Sequence, residues 1–94
     1  MCIVFFKRNP HPKLKFFVLF NRDEMIQRAR SPLNMQTDGV VCGIDLDSQG
    51  TWFGVNAKNG RIGWLTNYDH KPFMMISDPK YRKGQLLINY LRSD

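Results

Sequence analysis

Ninety-four residues, 43% of them hydrophobic and 13% aromatic, suffice for one small domain and exclude a mainly disordered chain. The longest aliphatic and aromatic run, Phe16 to Phe20, falls far short of the roughly 20 apolar residues that a membrane-spanning helix needs. The net charge of +6 is uneven, with +5 over residues 1–36, −2 over 37–69 and +3 over the remainder; it permits contact with phosphates or anionic lipid without specifying either.

Cys2 to Phe6 is a continuous run of β-forming residues and predicts a strand buried on both faces. It ends at Lys7-Arg8 and lacks the basic lead, long apolar stretch and cleavage site of a secretory signal. Residues 1–22 hold five basic residues and no acid, as a mitochondrial transit peptide does, but they contain no Ser and are patterned as strands. The expected address is therefore cytoplasmic, with the mitochondrion as a minor alternative. Cys2 and Cys42 form neither a disulfide framework nor a C-x-x-C pair, which fits a reducing compartment.

Lys15 to Phe20 predicts a second strand. Between the two strands, Arg8 to Lys13 carries two prolines, which remove backbone donors, and so predicts a long hairpin loop that ends the first strand. A short helical turn is expected through Met25–Arg28, stopped by Ser31-Pro32. Residues 33–50 are polar and Asp-rich, apart from Val40 to Ile44, and predict an irregular connection with one short strand. Thr51–Asn56 and Arg61–Thr66 are β-rich runs joined through Asn59-Gly60, the strongest short hairpin signal in a sequence. Ser77-Asp78-Pro79 predicts a helix start, and Lys83, Leu86, Leu87, Tyr90 and Leu91 share one helical face.

Strand, strand, strand, strand, helix gives an α+β fold, an antiparallel sheet covered by one helix. A first strand apolar on both faces asks for cover on each side, and one helix supplies only one. The chain is therefore expected to be the amino-terminal part of a larger body.

Three groups of residues bear chemistry. Cys2, once Met1 is removed, carries a thiol beside a free α-amine. That amine titrates near 7.7–8.0 and can generate the thiolate. The plain alternative is a buried Cys that begins a strand. Asn21-Arg22-Asp23-Glu24 follows a buried strand, so Arg22 can fork onto a carboxylate and Asp23 can hold an amine, or the block is a solvated turn. Asn67 ends the second hairpin, where its amide can donate to a developing oxyanion or simply open a turn. His11 and His70 are isolated and no zinc-type spacing or phosphate-binding loop occurs, so neither a metal nor a cofactor is expected. No aromatic and basic platform supports specific nucleic-acid binding.

Met1-Cys2-Ile3, Phe5-Phe6-Lys7, the Asn21–Glu24 block, Gly43-Ile44-Asp45, Gly50–Gly54, Leu65–Tyr68 and Arg82–Leu86 follow one another in an order and spacing that resembles the NRDE family, also called the transport and Golgi organisation protein 2 family. The resemblance covers residues 1–94 but only about the first third of a typical member. It implies a role in Golgi organisation, protein secretion and the handling of lipid or haem, with Golgi association as a possible address. It also implies an N-terminal nucleophile hydrolase-like αββα sandwich, of which this chain is an incomplete part. In that frame Cys2 matches a nucleophile position, Arg22 and Asp23 match an Arg and an Asp after the second strand, and Asn67 matches an oxyanion contact. The second reading is an amidohydrolase acting on a small amide through Cys2, inactive if the chain ends at Asp94.

Overall fold

The computed structural model describes residues 2–66 and 82–94. It has the expected α+β class, with antiparallel strands and one helix. Strands β1 (Ile3–His11) and β2 (Leu14–Asn21) form a two-stranded ribbon. Strands β3 (Asn34–Met35), β4 (Val40–Cys42), β5 (Phe53–Asn56) and β6 (Ile62–Trp64) form a second sheet in that order, and helix α1 spans Lys83–Arg92. Among the described residues six strands in two sheets replace the four main strands and one short strand expected; β4 lies in the apolar island at Val40–Ile44, and the two-residue β3 is the addition.

The prolines do not end the first strand. Pro10 lies inside β1, which runs on to His11, and the turn shrinks to Pro12-Lys13. An irregularity between Arg8 and His11, with Asn9 at φ 49°, lets the edge strand pass without the amide that proline lacks. The short turn expected through Met25–Arg28 forms, with the Arg28 amide donating to the Met25 carbonyl at 3.0 Å. The Asn59-Gly60 hairpin forms as expected, with Gly60 at φ 74°.

The register divides the ribbon into two faces, since directly paired residues project to the same side. Val4, Phe6, Phe16, Val18 and Phe20 share one face. Phe6 and Phe16 meet Trp64 at 5.3 and 6.4 Å between ring centroids, and Phe20 stacks on Phe53 at 5.5 Å. Ile3, Phe5, Phe17 and Leu19 share the other face, and all four are exposed. The first strand is thus not buried on both faces as expected: its inner face is only partly covered, with Val4 half-buried and Phe6 60% exposed, and its outer face is bare.

The helix lies on the opposite face of the second sheet, where Gly54 and Gly63 leave room for it. A β-carbon there would come within 2.7 Å of Leu91 and 2.6 Å of Leu87, respectively. The buried core is Val40, Cys42, Leu87, Ile88 and Leu91. The buried helical stripe therefore centres on Leu87, Ile88 and Leu91, while Leu86 and Tyr90, expected inside, are 54% and 48% exposed. The β5–β6 turn fastens the end of the helix: Asn56 Nδ2 donates to the Leu91 carbonyl at 2.7 Å, and Arg61 donates to the Tyr90 carbonyl at 2.9 Å. The expected helix start at Ser77-Asp78-Pro79 lies outside the described residues. Leu91→Ala is expected to cost about 3 kcal/mol of unfolding free energy in urea titrations. Leu86→Ala is expected to cost less than about 1 kcal/mol, and equal costs would contradict this helix orientation.

Candidate functional site

The strand ends and connecting loops meet in a cavity of about 340 Å³ lined by Cys2, Arg22, Glu24, Arg28, Asp45 and Trp52, with Arg82, Lys83 and Gly84 from the start of the helix among the remaining wall. Cys2 precedes β1 and Arg22 follows β2, so the antiparallel pairing of Ile3 with Asn21 alone brings these two side chains to one end of the ribbon. That convergence is the one the sequence implied. Asp23 is exposed and does not line the cavity; a hydrogen bond and charge attraction hold its carboxyl below the usual range. Asn67 lies outside the described residues.

The acidic centre of the site is Asp45, which the residue-type patterns did not single out. Its Oδ2 accepts from Arg28 Nε at 2.6 Å and lies 3.8 Å from Arg22 Nη2. Its Oδ1 accepts from the Asp47 and Ser48 amides at 3.0 and 3.1 Å, turning the loop back on itself. Burial alone would raise this carboxyl. The Arg28 hydrogen bond and charge and the two amides more than offset that effect and hold it below its usual range. The advance signal was its place in Gly43-Ile44-Asp45, one of the segments that carry the family resemblance.

Arg22 is largely enclosed, its guanidinium 4.4 Å above the Trp52 ring. Such stacking on an aromatic face contributes about 0.5–2 kcal/mol and fixes the plane of the donors. The Arg22-bearing segment is joined to the Asp45 loop along its length: the Leu46 amide donates to the Ala29 carbonyl at 3.0 Å, and the Ser31 amide to the Ile44 carbonyl at 2.8 Å. Ser31 Oγ also accepts the Ile44 amide at 2.9 Å.

The loop is in turn bound to the helix. Gln85 Nε2 donates to the Ser48 and Gln49 carbonyls at 3.0 and 2.8 Å, and the Thr51 amide donates to the Gly84 carbonyl at 3.2 Å. This approach needs glycine, because a β-carbon on Gly50 would fall 2.5 Å from the Gly84 backbone. Thr51 Oγ1, buried, donates to the Gly43 carbonyl at 2.7 Å. The other thiol, Cys42, lies in the core, where burial raises its pKa, so Cys2 is the thiol that meets the cavity. Among the described residues no group of three or more His, Cys, Asp or Glu is placed to hold a metal, and no helix is long and apolar enough to cross a membrane.

A second cavity of about 300 Å³ adjoins the first and is mainly apolar. Val18, Leu19, Phe20, Leu33 and Phe53 line it, and Arg22 and Trp52 belong to both cavities. Because folding lowers the Asp45 carboxyl pKa, its stabilising effect is complete above the unfolded value near 3.9 and is lost as pH falls through the folded value. Asp45→Asn is expected to lower stability by about 1.5–3 kcal/mol at pH 7 and by much less at pH 3. Urea titrations at the two pH values check this, and equal losses at both would contradict the ion-pair role.

The chain is similar to known proteins over its whole length. The family model for Transport and Golgi organisation 2 matches residues 1–94. The mouse Transport and Golgi organization 2 homolog is 32% identical to the chain, and the bovine and human Transport and Golgi organization protein 2 homologs are each 30% identical. Each alignment covers 100% of this chain and 36% of the relative, so the chain spans about a third of the length of the proteins it matches. No solved structure matches it significantly. A family match over the full 94 residues, on a fold that gathers Cys2, Arg22 and Asp45 at one cavity, establishes that the chain belongs to the Transport and Golgi organisation 2 family.

Proposed function

We propose that the chain acts in transport and Golgi organisation, as the names of its relatives describe for them, by holding an amphipathic carboxylate of the lipid or haem type. The charged head lies against Arg22 in the polar cavity, and the apolar body extends into the adjoining groove. The observation that carries this reading is the position of Arg22 and Trp52, which line both cavities at once. A guanidinium already fixed over an indole forks onto a carboxylate at little entropic cost. The groove beside it offers Val18, Phe20, Leu33 and Phe53 to an acyl chain or a porphyrin edge. Golgi association is part of this proposal, with the cytoplasm as the compartment in which the free thiols persist.

A second reading is favoured by Cys2, which lines the polar cavity beside Arg22. In that reading the thiolate attacks an amide carbonyl, the α-amine of a chain lacking Met1 carries the proton to the leaving amine, and water releases the acyl group. Both readings fit a domain that forms part of a four-layered sandwich. Support for that comes from the helix–sheet–ribbon order, the bare apolar outer face of the ribbon and the greater length of the relatives.

Calorimetric titration with dodecanoate below its micellar concentration, and with haem in a parallel experiment, is expected to show saturable binding to at least one. Arg22→Gln is expected to weaken that binding tenfold or more, about 1.4 kcal/mol, and Lys58→Gln by less than about twofold. Cys2→Ala leaves binding within about twofold if the role is binding alone. Turnover of a fatty amide that disappears in Cys2→Ala would instead favour the hydrolase. Absence of saturable binding to both probes, or equal effects of the Arg22 and Lys58 substitutions, would overturn the amphipathic-ligand reading.

A further inference from the structure

We infer that the polar cavity contains a second anion subsite, formed by Arg82 and Lys83, and that its ligand has a doubly charged head of the phosphate-monoester class. The inference rests on the amphipathic-ligand reading for the apolar body and on separate observations for the head.

The first observation is charge. Among the described residues, Arg22, Arg28, Arg82 and Lys83 line the cavity against Glu24 and Asp45, an excess of two positive charges. Both acids are already engaged: Asp45 by Arg28, Arg22 and two backbone amides, and Glu24 by the Met25 amide at 3.0 Å. Arg82 and Lys83 form no ion pair among the described residues. Four cations around one concave space repel one another, and an anion of charge two removes that cost. A single carboxylate at Arg22 would leave the opposite wall unneutralised.

The second observation is that this wall is rigidly placed. Arg82 and Lys83 sit at the start of α1, and that backbone is joined to the Asp45 loop by the two Gln85 hydrogen bonds, by the Thr51 amide and by the Gly50–Gly84 approach. These contacts fix the backbone that carries Arg82 and Lys83 at the cavity wall, while the two side chains themselves are exposed and open to an anion. Arginine and lysine together suit phosphate, the first as a planar fork and the second as a compact charge. The expected geometry is a phosphate between Arg22 on one wall and Arg82 and Lys83 on the other, with its alkyl chain leaving past Trp52.

The experiment compares three probes on the intact chain at pH 7.5, dodecyl phosphate, dodecanoate and inorganic phosphate, by calorimetry. Dodecyl phosphate is expected to bind about tenfold more tightly than dodecanoate. In the Arg82→Gln/Lys83→Gln variant that preference is expected to disappear while dodecanoate affinity stays within about twofold. Lys83→Arg is expected to keep the preference, which separates lost charge from lost structure. Far-UV circular dichroism of each variant checks the helix. If dodecanoate binds and dodecyl phosphate shows no advantage, or if the double variant weakens both equally, the subsite is refuted and the amphipathic reading stands. If inorganic phosphate binds in a manner that requires Arg82 and Lys83 while dodecanoate does not bind, the subsite stands and the amphipathic reading falls. Failure of all three probes overturns both.

Discussion

One carboxylate holds the functional end of this molecule together. Asp45 sits where three stretches of chain meet and presents both oxygens to partners: Oδ2 to Arg28 and Arg22, Oδ1 to the amides of its own turn. A buried carboxylate without partners would be costly, and breaking such a pair from one side leaves the remaining charge stranded. The sequence surrounding Asp45 satisfies it fully, and no buried side-chain donor or acceptor among the described residues lacks a partner. Because Asp45 is satisfied from both sides, the segment carrying Arg22 and Arg28 and the turn at 45–50 are held in a fixed relation, and Gln85 ties that turn to the start of the helix.

The packing of the layers follows a simpler logic. The second sheet shows one face to the aromatic side of the ribbon and the other, made shallow by Gly54 and Gly63, to the helix. Large rings fill the wide gap between sheets, while small residues allow a close helix approach. Antiparallel pairing then carries Cys2 and Arg22 to the end of the ribbon at which the Asp45 loop and the helix start arrive. The polar cavity is the space where these elements end, and the apolar groove is the gap left beside Arg22 and Trp52. The junction of the two is thus a product of the topology, and the charge on each wall is set by the residues that happen to lie at those ends.

What could be read in advance divides along the range of the interactions. The Asn59-Gly60 hairpin was legible because its geometry is decided within a few residues. The pairing of the first two strands as a hairpin was legible, although with a longer loop than the structure has, and that pairing places Cys2 and Arg22 at one end of the ribbon. Pro10 misled because a proline stops a strand only where its missing amide is needed, and at an irregular edge it is not. The helical stripe was rotated because Gly84, Leu87, Ile88 and Leu91 fit a three- and four-residue spacing as well as the more apolar-looking set. Only the hollows at Gly54 and Gly63 choose between them. Strand β4 was legible in the apolar island at Val40–Ile44, whereas the two-residue β3 and the pairing of Asp45 with Arg28 depend on partners elsewhere in the chain, for which a short segment carries no signal of its own.

The placement of Arg22 beside a positively charged wall therefore depends on whether Arg28 and Asp45 act as one unit. A double-mutant cycle with Arg28→Met and Asp45→Asn, read as unfolding free energy at pH 7 and low salt, tests that directly. The predicted result is a coupling of at least about 1 kcal/mol, with the double variant less destabilised than the sum of the singles. Additivity within about 0.3–0.5 kcal/mol would show the two residues to be independent and would contradict the central role assigned to Asp45.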